Sequence, residues 1–575
     1  MSHMSAILAQ IEAAPGLQRL RALGGDFAQA DSATVSAVLH EAGRFCEDRL
    51  ASLNRAMDRY PCVLADGRVR LAPGHRDAWQ AYVAAGWPTL DHPTAIEGQG
   101  LPLFLAAVAQ QLVDGNCAAF GMLPVLQRSA ARLIAAFGSE ALKAEWLPAL
   151  VRGEWAATIC ISESDAGSDA ARLRTVAEPL GPDAWSITGE KMWISFGDHD
   201  LTPKIGHCVL ARTAKGLSLF LVPSVVGGPD GQDRRNTIVV RRVEEKMGLH
   251  GSPTCALGFE GAKGWLIGAE GRGLQQLFVM ITNMRLSAGM QGVGLAAAAV
   301  EVAETYADQR RQGGAPGDPP VPISSHPDVQ RMLADMISRL ETVRGLGIAI
   351  AVQADLATTE TDAVARDRAS ALVQWLLPVF KTIGGECGFE VASQAIQILG
   401  GAGYTRDWPV EQLLRDARIT TIYEGTTGIQ ALDLLHRRLW RDESTGLEAF
   451  LSTARADLAS CPEPGRAQAA QALDLLEEAA RVLVGWRSRQ RDAEAGATAF
   501  LHLAGLAATG WIAARLMAIH DDSPPARRLA AAGDYWLGDL GDRATLTQRQ
   551  ALRGEVGLDS FHGMGLAVSP IQDRS

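Results

Sequence analysis

Hydrophobic and polar positions along this chain change period several times. From about Asp31 to Ala149 apolar residues recur every three or four positions, as in Leu101 to Leu112, which predicts helices with one buried face. Near Trp155 the texture becomes short β-branched and aromatic runs, namely AATICIS, WSITG, HCVLAR, LSLFLVP, NTIVVRRV and TCALGF, separated by Gly, Pro and Asp turns. These predict a small β domain without a βαβ rhythm. Helical spacing returns after Gly273 and runs to Arg310. The segment Gly313 to Pro322, GGAPGDPPVP, predicts a loop, because its prolines donate no helix hydrogen bond and its glycines are permissive. Beyond His326, Leu333, Met336, Ile337, Leu340 and Val343 restart an amphipathic helix. After Arg438 a further helical stretch, punctuated by Pro462, Pro464, Pro524 and Pro525, carries no motif tied to chemistry and reads as a packing or dimerisation appendage. The expected division is an N-terminal helical domain over 31–155, a middle β domain over 156–273, a C-terminal helical bundle over 274–438 and a helical extension over 439–575.

Composition narrows the functional classes. With 575 residues, 47% hydrophobic and 21% charged, the chain is an ordinary multidomain globular protein. No uninterrupted apolar run reaches the roughly 18 residues of a membrane helix, so no stable membrane insertion is expected. The N-terminal MSHMSAILAQIEAAPG lacks a basic stretch, an apolar core and a small-residue cleavage site, which predicts a cytoplasmic protein. A net charge of −11 argues against binding nucleic-acid phosphates. The eight cysteines form no CxxC pair and the twelve histidines no HExxH motif, so neither a disulfide framework nor a metal site is expected.

Candidate chemistry concentrates in RDARITTIYEGTTGIQ, Arg415 to Gln430. Glu424 stands between Tyr423, an aromatic shield from water, and Gly425, which removes a side chain that would block a ligand; Thr426 adds a hydroxyl. A carboxylate so placed suits a general base that removes a proton from carbon. Four other segments accompany it. In ISESDAGSD, Ile161 to Asp169, hydroxyls and amides at a strand exit suit a polar ring or phosphate, or make an ordinary turn. In KMWISFG, Lys191 to Gly197, strand alternation would put Trp193 and Ser195 on one face, fit to stack on a flat ring, although a Trp there also reads as core. In YADQRRQGG, Arg310 or Arg311 suits a pyrophosphate or simply a helix C-terminus. In QILGGAGY, Gln397 to Tyr404, the glycines admit an anion or cap a helix, and the dinucleotide fingerprint GxGxxG is absent.

Taken in order, and with HPDVQRMLADM, these segments resemble the acyl-CoA dehydrogenase family from about residue 40 to 437. GDHDL, KMGLHGSPTCALGF, GAKGWLIG and the extension resemble a longer bacterial subgroup that includes 3-methylmercaptopropionyl-CoA dehydrogenases. The resemblance implies an α+β fold: an N-terminal helical domain, a middle β domain, a C-terminal four-helix bundle and the extension. It implies FAD, an acyl-CoA substrate, an electron-transferring flavoprotein as acceptor and a homodimer or homotetramer in fatty-acid β-oxidation. The thioester would lose its α-proton to a carboxylate and its β-hydrogen as hydride to flavin N5, giving a trans-2-enoyl-CoA.

Matching positions give the residues their roles. Family members carry the base either in the YEGT turn or before the arginine of a long helix; here that helix reads ITNMRLSAG, Met284 precedes Arg285, and the base falls to Glu424. Ile161, Ser162, Trp193 and Ser195 match contacts to the flavin ring. Arg310, Gln397, Gly400 and Gly401 match the pyrophosphate and adenosine side, partly across a subunit interface, and Thr426 matches another FAD contact. Ser168 matches a position near the pantetheine chain, while Arg285, Tyr423 and Gly425 border the substrate. The Glu424 amide and an FAD hydroxyl would complete an oxyanion hole. Gly428 and Gly313 depart from the family pattern on the FAD side. Two rival readings share the scaffold: an acyl-CoA oxidase that uses oxygen, and a DNA-binding protein, against which the acidic charge argues.

Overall fold

The computed structural model describes residues 3–24, 27, 29–227, 232–519, 521–558 and 564. The chain forms two compact units, one of Gln18–Met336 with Gly384–Glu424, the other of Met1–Leu17, Ile337–Ile383 and Gly425–Ser575.

The first unit begins with helices set by ordinary signals. Asp31 accepts from the Thr34 amide at 2.7 Å and caps Ser32–Phe45, and Ser139 caps Glu140–Val151. Between them runs α1, Leu103–Phe137, whose regular geometry is broken at Cys117 and which contains Pro124. A short hairpin, Val63–Ala65 with Arg68–Arg70, interrupts the region read from sequence as purely helical. Its three-residue strands are too short to show alternation. Asp198 of the GDHDL segment holds it, accepting from Arg68 at 2.8 Å and from the Val69 amide at 2.9 Å.

Among the described residues the β domain is built on a seven-stranded sheet of β1 (Ala156–Cys160), β2 (Val176–Pro179), β3 (Trp185–Ser195), β4 (Ile205–Thr213), β5 (Gly216–Pro223), β6 (Ile238–Val243) and β7 (Thr254–Ile267). Their order is β6-β7-β3-β2-β4-β1, and β5 pairs with both β7 and β4, so the hydrogen-bonded path closes on itself. Ile187, Val209, Phe220, Val222, Leu257 and Phe259 fill the interior. The six runs legible in the sequence supply the strands of this sheet except the short β2.

The helix α2, Gly273–Gln309, packs on α1 at glycine contacts: a Cβ at Gly115 would lie 2.8 Å from the Gly294 carbonyl oxygen. The predicted loop follows, closed by a bridge between Arg311 and Pro322. Two further long helices, α3 (Pro327–Thr359) and α4 (Ala363–Leu399), lead to a 3-10 turn over Gly400–Tyr404.

In the second unit the extension helices Thr445–Leu458, Gly465–Gly485, α5 (Gln490–Met517), Pro524–Leu537 and Leu540–Ala551 share one packed body with residues 337–383. Small residues bring them close: a Cβ at Gly446 would meet Trp375 at 2.9 Å, and one at Gly505 would meet Ile383 at 2.9 Å.

One expectation needs correction. Among the described residues three helices, α1, α2 and α5, are long and apolar enough to cross a membrane by length and composition. Scattered polar residues hid this from a search for uninterrupted runs. Most of each apolar window, 78%, 72% and 78% in turn, is buried within the fold, which accounts for the apolarity by packing.

Candidate functional site

In the first unit, the strand segment and the turn nominated from sequence are tied together. The Met192 amide donates to the Ser162 carbonyl at 2.9 Å. Lys191, fully buried, donates through Nζ to the Ile161 carbonyl at 2.9 Å and to Glu163 Oε1 at 2.8 Å. Glu163 also accepts from the Arg174 amide at 2.6 Å and the Thr175 amide at 3.0 Å. Burial opposes its charge, but these donors outweigh it and hold the carboxyl below its ordinary value. The pair fixes the backbone of Ile161 and Ser162, both half-buried, beside β3.

Trp193 is not core. It is 58% exposed, and its φ of +62° lies in the left-handed region that a Trp rarely adopts. The cause is a β-bulge: the β7–β3 register shifts between Cys255, opposite Ile194, and Leu257, opposite Lys191. Met192 and Trp193 therefore share one opposing residue, and the extra residue turns the indole outward. Simple alternation, the argument from sequence, does not place Trp193 here. Ser195, half-buried, is fixed by its carbonyl, which accepts from Thr158 Oγ1 at 2.6 Å, and the next residue, Phe196, is also left-handed at +52°.

Arg310, Gln397, Gly400 and Gly401 are exposed. Arg310 caps α2, its carbonyl accepting from the Ile323 amide at 2.8 Å. A Cβ at Gly400 or Gly401 would meet nothing within 4 Å, so the backbone there is open to a ligand. Gly313, at φ +76°, turns under His326, whose ring a Cβ would meet at 2.9 Å. Ser168 is exposed in the loop after β1, and Arg285 is buried on α2 directly after the buried Met284.

The segment leading to Glu424 is pinned throughout. Arg415 pairs with Asp58 through two 2.8 Å contacts, and Asp416 accepts from the Leu249 amide at 2.6 Å, which locks it to the KMGLHG loop. Thr420 donates to the Gly385 carbonyl at 3.1 Å. Tyr423, half-buried, donates its hydroxyl to Gln291 Oε1 at 2.6 Å, and burial raises that hydroxyl's pKa well above the ordinary value. Glu424 itself is half-buried, with φ of +57°. A left-handed glutamate costs about 1–2 kcal/mol over glycine, a strain sustained here by the fixed residues before it.

In the second unit, the Gly425 carbonyl accepts from Lys381 Nζ at 2.6 Å and from Gln430 Nε2 at 3.3 Å, both donors being fully buried. Gly425 is required by backbone geometry, more than by access: its φ is +93°, and a Cβ would come 2.6 Å from Gln430 Nε2. Thr426, exposed, caps the helix Thr427–Leu432 by accepting from the Ile429 amide at 3.4 Å. A cavity of about 340 Å³ elsewhere in this unit, lined by Gln374, Trp375, Arg438 and Thr445 among others, includes none of the nominated residues.

Sequence reading missed Lys191 with Glu163, Lys381, and Gln291 behind Tyr423. The first two stood inside quoted motifs, yet nothing in the sequence pairs positions 28 residues apart.

The chain matches three family descriptions in order: acyl-CoA dehydrogenase N-terminal domain over residues 32–154, middle domain over 158–262 and C-terminal domain over 271–439. It is 38% identical over 493 residues to a 3-methylmercaptopropionyl-CoA dehydrogenase of Ruegeria pomeroyi, covering 83% of this chain and 84% of that protein. The fold is similar to that of Caenorhabditis elegans ACDH-11, solved in complex with C11-CoA, with a TM-score of 0.78 and 20% identity over 96% of this chain and 95% of that one. It is also similar to an acyl-CoA dehydrogenase of Bacillus anthracis complexed with FAD, with a TM-score of 0.73 and 20% identity over 94% of this chain and 93% of that one. Both structures span the extension as well as the three family domains.

Proposed function

The chain belongs to the acyl-CoA dehydrogenase family of oxidoreductases, and on that premise we propose that it is FAD-dependent and converts an acyl-CoA thioester into a trans-2-enoyl-CoA, with Glu424 as the base. The observation that carries this reading is the turn at Glu424: a carboxylate held in a strained conformation, flanked by an aromatic residue and an obligatory glycine. The alternative base position on α2 is Met284, which has no group able to take a proton.

The residues present fit FAD. An indole held outward on a bulge, beside the fixed Ser195 and the Ile161–Ser162 turn, suits one face of a flat ring. The open glycines at 400 and 401, with Arg310 and Gln397, suit the pyrophosphate and adenosine, and Thr426 matches another FAD contact. When bound, FAD supplies the acceptor for the substrate β-hydrogen. Glu424 takes the α-proton, Tyr423 and Gly425 border the acyl group, Arg285 arranges the pocket, and Ser168 lies on the pantetheine side. An apolar acyl chain packed against Glu424 excludes water and makes the carboxylate a stronger base. An electron-transferring flavoprotein as acceptor, a homodimer or homotetramer, a cytoplasmic setting and the four-part division at 155, 273 and 438 belong to the same proposal. The Ruegeria relative supports short sulfur-containing acyl groups as the first substrates to try.

The test is anaerobic addition of 3-methylmercaptopropionyl-CoA, butyryl-CoA and undecanoyl-CoA to the FAD-loaded protein. Bleaching of the flavin absorbance by at least one is expected, and bleaching by none contradicts the reading. Rapid peroxide formation in air without reduction of an electron-transferring flavoprotein would instead make the enzyme an oxidase.

A further inference from the structure

The tyrosine beside Glu424 is the visible end of a buried polar chain. Its hydroxyl donates to Gln291 Oε1 at 2.6 Å, and Gln291 Nε2 lies 3.4 Å from Asp114 Oδ1. Gln110 Nε2 donates to the same Asp114 oxygen at 3.1 Å and to the Gly121 carbonyl at 3.1 Å. Asp114, Gln110 and Gln291 are each no more than 3% exposed.

The fold gives up regularity to build this cluster. α1 breaks at Cys117, which turns the Gly121 backbone toward Asp114; a Cβ on Gly121 would sit 1.9 Å from Asp114 Oδ1. The close approach at Gly115 and Gly294 brings Gln291 of α2 within reach. A carboxyl oxygen that receives two amide nitrogens fixes how both amides are turned. With its nitrogen toward Asp114, Gln291 has its oxygen toward Tyr423.

We propose that Asp114 is a positioning residue: through Gln291 it orients Tyr423, and so holds the turn that carries Glu424. The inference rests on the reading of Glu424 as the base. It goes further by giving a role to a residue 177 positions from Gln291 in sequence, on a different helix.

Asp114 must be neutral to serve this way at low cost. Burial raises its pKa to about 8, against lowering by the two amides and Arg128. Its Oδ2 has no hydrogen-bond partner and is the natural seat of the proton. The titratable groups facing it are Arg128 and Cys117 of α1, Cys46 and Tyr82 from the preceding helices, and Tyr423 from the turn. Above about pH 8 the carboxyl becomes an anion, and the surroundings of Tyr423 change with its charge.

The experiment compares wild type, D114N, D114L, Y423F and D114L/Y423F as FAD-loaded proteins. The readouts are the single-turnover bleaching rate with whichever of the three acyl-CoAs named above bleaches wild type fastest, and the tyrosine Cζ carbon signal, with Tyr423 assigned by its loss in Y423F. D114L should bleach about tenfold more slowly, the effect of one lost orienting hydrogen bond, with the acyl-CoA concentration that gives half the limiting rate within about twofold. D114N keeps an acceptor and should restore most of that loss. The double variant should be no slower than Y423F. The Tyr423 signal should shift in D114L, and in wild type but not D114N as pH rises through about 8. Wild-type speed in D114L, or losses that multiply in the double variant, would overturn the proposal. If D114L does not fold, Gln291→Met breaks the same chain one link on. If no acyl-CoA bleaches wild type, the functional reading fails, while the Tyr423 signal still decides whether Asp114 controls the tyrosine.

Discussion

The β3 segment Lys191–Ser195 and the extension helix α5 were built on opposite terms. Along α5 the buried positions are Ala, Gly, Leu, Phe and other residues whose burial follows from their apolarity, and its buried Thr509 satisfies its hydroxyl on the Gly505 carbonyl at 2.8 Å. Over five residues β3 instead has a fully buried ammonium, a bulge and an exposed left-handed tryptophan. Nothing about folding a sheet demands these departures, and each one costs stability. On the proposed function, local rules are broken where the chain presents particular atoms to the flavin and are obeyed where it packs.

The sharpest way to break that contrast is Lys191→Met. It leaves Glu163 buried without its cation, so a loss of about 3–5 kcal/mol is expected, together with loss of FAD retention, measured by thermal melting and by flavin release on gel filtration. Glu163 titrates below its ordinary pKa of 4.5, so the stabilisation it contributes is present above that value and lost as pH falls through the folded one. In the variant the buried Glu163 has lost its cation, so it takes up a proton more readily and sheds its unpaired charge as pH falls, and the gap between wild type and variant should narrow on acidification from pH 6 to pH 4. A gap that stays constant would show that the ion pair is not what holds the turn.

A smaller and opposite effect is expected from Trp193→Gly. Glycine relieves the left-handed strain, so the FAD-free protein should gain up to about 1 kcal/mol while FAD affinity falls. A variant that loses stability and keeps its FAD would mean that the indole serves packing. The smallest effect belongs to the extension: Ser523 caps Pro524–Leu537, and Ser523→Ala should cost about 1 kcal/mol in a melt without changing the bleaching rate.

The sequence made the periodic parts legible. Helices such as α1, α2 and α5 and the long strands β3, β4, β5 and β7 follow from spacing, and the turn at Glu424 stood out by its neighbours. What stayed hidden depends on contacts between distant positions. The bulge at Trp193 arises from register against β7, the hairpin at 63–70 from Asp198, and the Tyr423 support from Gln291, 132 residues earlier in the chain. Gly425 was assigned to ligand access, whereas its backbone conformation and the space taken by Gln430 already require glycine.

The central claim is that Glu424 removes the proton. The direct measurement is anaerobic mixing of FAD-loaded Glu424→Gln with an acyl-CoA that bleaches the wild type. Glutamine keeps the shape of the turn and takes no proton, so the variant should bind the thioester and bleach the flavin at least about 100-fold more slowly, by the usual size of a general-base contribution, about 10²–10⁴. Bleaching at the wild-type rate would contradict the account.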